Sequence, residues 1–369
     1  MSAIETGLAS GEYTYLPIER VYFGSGSISK LRTELNRIGS KRPFLLTGQS
    51  IAQKSDLIAR IENAAETKLA GVFSEIRQHA PLSGIRRAAT AVREAKADSL
   101  ISLGGGSPID STKIIVKELS EDFQHPAIPH IAVPTTLSAA EFSHVAGMTD
   151  EKLNRKTGFR DLRMVPRSIF LDPELTVPTP GWLWASSGIR SLDHAVEAVY
   201  SPNHQSYVDT LALEAIHLLF QNLKVSTENP TDLKSRLNCQ LAAWMSFAGV
   251  FSVGTGLSHS IGRVIGATWN IPHGITSCIT LSEVMRMEAT RNPERLALIA
   301  KAEGKNIEGV PSEKVALEAA DGVDELVRGL GQSKRLRDYG IRKDDLPKIA
   351  RDVSSHESAD ALRILEKVW

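Results

Sequence analysis

The chain of 369 residues contains two cysteines, no excess charge of either sign, few aromatic residues and no long apolar run. Cys239 and Cys278 have neither metal-knuckle nor Cys-x-x-Cys spacing, which excludes a disulfide framework and a thiolate zinc site and leaves core packing as their expected role. Lysine plus arginine (43) balances aspartate plus glutamate (43), so no global field draws the protein to nucleic acid or an anionic membrane, and neither is an expected partner. No stretch approaches the roughly 20 uninterrupted apolar residues needed to cross a bilayer. The opening MSAIETGLASGEY lacks a basic region followed by an apolar one, and the expected location is cytoplasmic. What remains is the composition of a folded protein, 42% hydrophobic and 23% charged, over a length that favours two domains.

Short apolar runs alternate with helical periodicity from Arg20 to Asp172, the pattern of parallel strands joined by crossover helices. Predicted strands are Arg20–Phe23, Pro43–Leu46, Leu69–Phe73, Ser99–Leu103, Ile128–Val133 and Ser168–Leu171. Predicted helices between them include Ile51–Thr67 and Gly84–Ala97. Beyond Asp172 the pattern becomes helical, over Pro180–Tyr200, Ser206–Leu223, Asp232–Val250 and Pro293–Ala302. Three prolines, Pro173, Pro178 and Pro180, interrupt the chain at the change and mark the expected boundary between an α/β domain, 1–173, and an all-α domain, 174–369.

At the end of the fourth predicted strand stands Gly104-Gly105-Gly106-Ser107-Pro108-Ile109-Asp110. Glycines allow a tight turn and close approach of the backbone to a pyrophosphate, and the N-terminus of the following helix favours an anion. Ser107 is the expected N-cap, Pro108 suits the first helical position and Asp110 falls in the first turn.

The run GGGSPIDSTK resembles the GGGSxxDxxK signature of the iron-containing alcohol dehydrogenase superfamily, which also includes dehydroquinate synthase-like enzymes. Phe23-Gly24-Ser25-Gly26, Val133-Pro134-Thr135-Thr136, Asp172-Pro173-Glu174-Leu175 and Pro272-His273-Gly274 resemble its other landmarks in order and spacing. The resemblance implies a Rossmann-like parallel sheet with a dinucleotide site, followed by an all-α domain. It also implies a cofactor set of Gly104, Gly105, Gly106, Ser107, Asp110, Thr135 and Thr136. After the second predicted strand, relatives often carry an acid against the adenosine ribose. This chain has Thr47-Gly48-Gln49-Ser50, which leaves NAD(H) and NADP(H) both open.

Metal-binding members of that family use one Asp and three His. The alignment implied by the resemblance puts His194, His259 and His273 at the histidines, the last two 14 residues apart, and Arg190 at the aspartate. Where the family often has a further histidine stands Arg263. A guanidinium has no lone pair for a metal, so no metal is the expectation, with His194, His259 and His273, and Asp193 close by, as the set if one binds. Asp193 directly precedes His194 and should point roughly 100° away from it on a helix. Arg190 with His194, and His259 with Arg263, are spaced four apart and should share helix faces, bringing two Arg and two His to one cleft as the catalytic set with His273.

The segment around Lys156-Thr157-Gly158-Phe159-Arg160-Asp161 resembles the maleylacetate reductase branch. That resemblance implies reduction of maleylacetate to 3-oxoadipate in aromatic-compound degradation, with an anionic small-molecule substrate. His259 and His273 are candidate acids, and Arg155, Lys156 and Arg160 candidate carboxylate contacts. The branch commonly has Asn where Arg190 stands and His where Arg263 stands, so the substrate stays open. Competing readings are a metal-dependent alcohol dehydrogenase, a dehydroquinate synthase-like lyase and a non-catalytic nucleotide-binding protein. Family analogy suggests a homodimer, with Glu12–Phe23 as a potential edge strand.

Overall fold

The computed structural model describes residues 11–120, 127–151, 155–353 and 356–369, with the backbone alone at 155–156. In chain order the strands are β1 (Arg20–Phe23), β2 (Pro43–Gly48), β3 (Gly71–Ile76), β4 (Ser99–Gly104), β5 (His130–Pro134), β6 (Val145–Asp150), β7 (Arg155–Arg160) and β8 (Ser168–Leu171). Six of them form one sheet in the order β1-β8-β5-β4-β2-β3, every neighbouring pair parallel. Strands β4 and β5 are buried along their whole length, as expected when helices cover both faces of a parallel sheet. Successive side chains point to opposite faces. Leu45, Ile101 and Ile131 pack on α1 (Leu31–Arg37) and, beyond α2 (Gln49–Lys54), on α3 (Leu57–Ala65). Phe44, Leu46 and Leu100 pack on α4 (Leu82–Glu94) and α5 (Gly106–Leu119).

From Gly181 onward every named element is helical: α6 (Gly181–Tyr200), α7 (Ser206–Glu228), α8 (Leu233–Phe247), α9 (Val250–Val253), α10 (Leu257–Thr268), α11 (His273–Glu288), α12 (Pro293–Ala302), α13 (Ser312–Gly329), α14 (Leu346–Val353) and α15 (Ser358–Val368). Helix α6 is the axis of this half. Between Trp184 and Tyr200 every residue except Arg190 is buried, so the helix is enclosed on all sides by its neighbours. Gly274 lets α11 cross it closely: a Cβ there would lie 2.4 Å from the Ser186 carbonyl oxygen. Among the described residues no single helix is long and apolar enough to cross a membrane.

The structure departs from the sequence expectations in several places. The third strand is shifted two residues along, to Gly71–Ile76. The helix expected over Ile51–Thr67 is two, because Ser55 is extended and its hydroxyl donates to the Ile51 carbonyl, ending the first. Only Arg20–Phe23 of the run Glu12–Phe23 is strand. The antiparallel hairpin β6–β7 was not expected at all. Its register pairs Gly147 with Gly158, and its inward residues Ala146, Met148 and Phe159 give too few apolar positions for a legible period of two.

His130, in β5, is buried with its Nε2 2.7 Å from Ser102 Oγ on β4. Burial, and then the charge of Lys113, push its pKa down to about 3. The unfolded chain therefore takes up a proton below about pH 6.5 that the folded chain refuses, and stability is lost as pH falls from there. In denaturant titrations His130→Gln is expected to remove up to about 1.4 kcal/mol per pH unit from the slope of stability between pH 6.5 and 4. An unchanged slope would show that His130 protonates in the folded state.

Candidate active site

The sheet ends in a cleft of about 560 Å³ that runs from Gly48 past the glycine loop to Arg190 and His273 in the helical half. Gly104 has φ +140°, open to glycine only, and a Cβ on it would lie 2.9 Å from the Pro108 ring. Thr135 donates its N–H to the Gly104 carbonyl, at 2.9 Å, which fixes the Thr135-Thr136 loop beside the glycines. Gly105, Gly106, Ser107, Asp110, Thr135 and Thr136 all line the cleft, and Gly104 closes the strand beneath them. Helix α5 starts at Gly106 with Gly105 as N-cap, so Ser107 is not the cap expected from the sequence. Its Oγ instead accepts the His79 N–H at 3.1 Å. Burial pushes the Asp110 carboxyl up to about 6, partly offset by Lys113 3.7 Å away. A bare-backbone turn at a helix start is the cradle a dinucleotide pyrophosphate needs.

Behind the cleft wall lies a network of buried charge. Arg190, Asp193 and Glu197 sit at positions i, i+3 and i+7 of α6 and share one face. Arg190 Nη1 is 3.5 Å from Asp193 Oδ2 and donates to Ser277 Oγ at 3.1 Å. That Asp193 oxygen also accepts from Ser258 at 3.0 Å and Ser277 at 2.5 Å. His259 Nδ1 approaches Glu197 Oε2 at 2.6 Å and Asp193 Oδ2 at 3.4 Å. Glu197 further accepts the backbone N–H groups of Gly256 and His259, at 2.6 and 3.2 Å, capping the start of α10.

The electrostatics follow from this geometry. Burial and Arg190 oppose charge on His259, but Glu197 and Asp193 together outweigh them and raise its pKa. Burial alone would raise the Asp193 pKa, yet His259, Arg190 and Ser277 hold it below the usual carboxylate value. His194 is different. Burial, then the charges of His259, Arg190 and His273, keep its pKa well below that of an ordinary imidazole. Its ring packs 4.8 Å from His259 and edge-on to Phe247 at 4.9 Å.

The expected convergence of two Arg and two His on one cleft is only partial. Arg190 and His273 form the wall, whereas His194 and His259 are buried behind it. Arg263 is exposed: a four-residue step keeps its Cβ on the His259 side, but the long side chain runs to solvent and meets Ser260 Oγ at 3.3 Å. Arg160 stacks over Phe251 at 5.6 Å, and the side chains of Arg155 and Lys156 lie outside the described residues. Asp193 Oδ2 lies 3.4 Å from His259 Nδ1 and the His194 ring 4.8 Å from the His259 ring, so these two sequence neighbours pack on the same imidazole. Sequence reading missed Glu197, Ser258, Ser277 and His79. For Glu197 a signal existed, a carboxylate four residues after Asp193 among the apolar residues that follow His194 to the helix end.

A dinucleotide cradle at the end of a parallel sheet, facing a wall of Arg and His on a helical domain, defines an NAD(P)-dependent oxidoreductase. Residues 18–173 match the family described as iron-containing alcohol dehydrogenase, and residues 184–362 match the C-terminal part of the same family. The chain belongs to the iron-containing alcohol dehydrogenase family. Maleylacetate reductase 1 of Cupriavidus pinatubonensis is 29% identical, covering 94% of this chain and 91% of the relative. Lactaldehyde reductase of Escherichia coli is also 29% identical, over 90% and 91%. The crystal structure of maleylacetate reductase from Agrobacterium tumefaciens aligns with a TM-score of 0.84 at 26% identity, covering 98% of this chain and 99% of that one.

Removing Asp193 leaves Arg190, on the inner wall of the cleft, and buried His259 short of a carboxylate partner. Asp193→Ala is therefore expected to cost about 3–5 kcal/mol, read as a lower denaturant midpoint. A loss below about 1 kcal/mol would show that solvent already screens these pairs.

Proposed function

We propose that the protein is an NAD(P)H-dependent reductase of a small carboxylated substrate, with maleylacetate, reduced to 3-oxoadipate, as the leading candidate. The observation that carries this is Arg190, the one residue between Trp184 and Tyr200 of α6 that is not buried, set in the cleft wall with Nη1 fixed by Asp193 and Ser277. A guanidinium anchored on one side presents its other N–H groups in a geometry suited to a carboxylate or a developing oxyanion. The maleylacetate reductases among the relatives support the same reading.

The family implies a divalent metal, and we infer that this donor set does not hold one. A guanidinium stands at one of the four positions, and the three histidines do not gather into one ligand sphere among the described residues. The group that does gather, Asp193, Glu197 and His259, is partly engaged by internal partners: both Glu197 oxygens accept backbone N–H groups and Asp193 Oδ2 accepts two hydroxyls, while Asp193 Oδ1 and His259 Nε2 have no hydrogen-bond partner among the described residues.

A bound nicotinamide coenzyme supplies the hydride. The chain's own groups do the rest. Arg190 holds the enolate oxygen left after reduction of the conjugated double bond. His273, which lines the cleft, delivers the proton to carbon in this reading, and buried His259 serves instead to hold Asp193 and Glu197.

The test is oxidation of NADH and NADPH against maleylacetate, 2-oxo acids and neutral lactaldehyde. The expected result is the highest kcat/KM for maleylacetate, with Arg190→Ala lowering it by about 10²–10³. Faster turnover of lactaldehyde than of any acid, or an Arg190→Ala variant of unchanged activity, contradicts the proposal.

A further inference from the structure

The loop between β3 and α4 carries backbone strain into the cleft. His79 has φ +62° and Ala80, immediately after it, φ +48°, so two consecutive non-glycine residues lie in the left-handed region. Such conformations persist only where the surroundings fix them. Here they do. The His79 N–H donates to Ser107 Oγ at 3.1 Å, Thr149 Oγ1 donates to the His79 carbonyl at 3.1 Å, and the Thr149 N–H donates to the Ala80 carbonyl at 3.2 Å. The loop is thus clamped between the glycine turn and the β6–β7 hairpin. Glycine at either position would make the same turn without strain, so covering the phosphate loop does not by itself account for a histidine.

What the strained turn achieves is the placement of an imidazole. His79 lines the same cleft as Arg190 and His273, and its ring stands at 85° to that of His273 with 6.4 Å between centroids. Three hydrogen-bonding side chains from three separate elements, the β3–α4 loop, α6 and α11, therefore border one end of the cleft. Two come from the helical half and one from the sheet.

We propose that His79 contacts the substrate, donating an N–H to a carboxylate remote from the reacting bond while Arg190 and His273 serve the reacting end. This rests on the reading that the substrate is an acid. It adds a specificity-determining residue contributed by the sheet domain, so that an acid with carboxylates at both ends is gripped from both sides of the cleft.

The experiment compares wild type, His79→Ala and His79→Gln, with thermal melting to verify that each folds. Three quantities are measured: KM and kcat for maleylacetate, the inhibition constant of succinate as a non-reducible dicarboxylate, and the dissociation constant of NADH by fluorescence titration. His79→Ala is expected to raise KM and the succinate constant by about tenfold or more, the effect of losing one charge-assisted hydrogen bond, with kcat changed far less and NADH binding unchanged. His79→Gln, which keeps an N–H donor, should recover most of the loss. If NADH binding weakens in step, His79 belongs to the coenzyme and the proposal is overturned. If a folded His79→Ala leaves both constants unchanged, the residue is structural only. A wild-type enzyme that ignores succinate and prefers neutral aldehydes would overturn the acid-substrate reading itself, whereas a wild type that prefers acids beside an unaffected His79→Ala overturns only the role of His79.

Discussion

Arg190, in the cleft wall at the edge of the helical core, is answered by carboxylates on its own helix. An unpaired guanidinium there would cost free energy, and Asp193, one turn along and 3.5 Å away, offsets part of that penalty. The pairing then organises its surroundings. Asp193 draws serines from α10 and α11, while Glu197 caps α10 through two backbone N–H groups. Helices α6, α10 and α11 are therefore fastened together by polar contacts inside an apolar core. The start of α11, and with it His273, is held against the cleft as a consequence.

The two sides of the cleft do different work. The sheet side is generic: a glycine turn at the mouth of a parallel sheet accepts a pyrophosphate whatever reaction follows. The helical side carries what we read as this chain's own feature. By the alignment that the family resemblance implies, Arg190 stands where a ligand aspartate is expected, and Asp193 directly precedes His194. In our reading, a divalent ion with one carboxylate leaves one net positive charge, and Arg190 delivers the same charge from the chain itself. Asp193 and Glu197 then balance Arg190 and His259, so the interior is close to neutral while Arg190 keeps a face toward the cleft.

Much of the sheet was legible because buried parallel strands are continuous apolar runs, and Ser99–Leu103 and Ser168–Leu171 read as such directly. The β6–β7 hairpin was not, since paired glycines and charged residues carry no apolar alternation. At the site, the glycine turn and Arg190 were visible because motif spacing fixes them. Whether a side chain at such a position reaches the cleft was not visible: Arg263 and His259 share a helix side, yet one ends in solvent and the other in the core. His79 escaped notice for another reason. Its placement depends on a left-handed turn built from histidine and alanine, residues whose letters give no sign of that conformation.

The central claim is that an internal ion network takes the part a metal plays elsewhere in the family. The most direct measurement is elemental analysis of purified, active enzyme before and after exhaustive chelation, with activity assayed on the same samples. The account predicts no stoichiometric iron or zinc and activity unchanged by chelation. Stoichiometric metal, whose removal abolishes activity and whose return restores it, would contradict it.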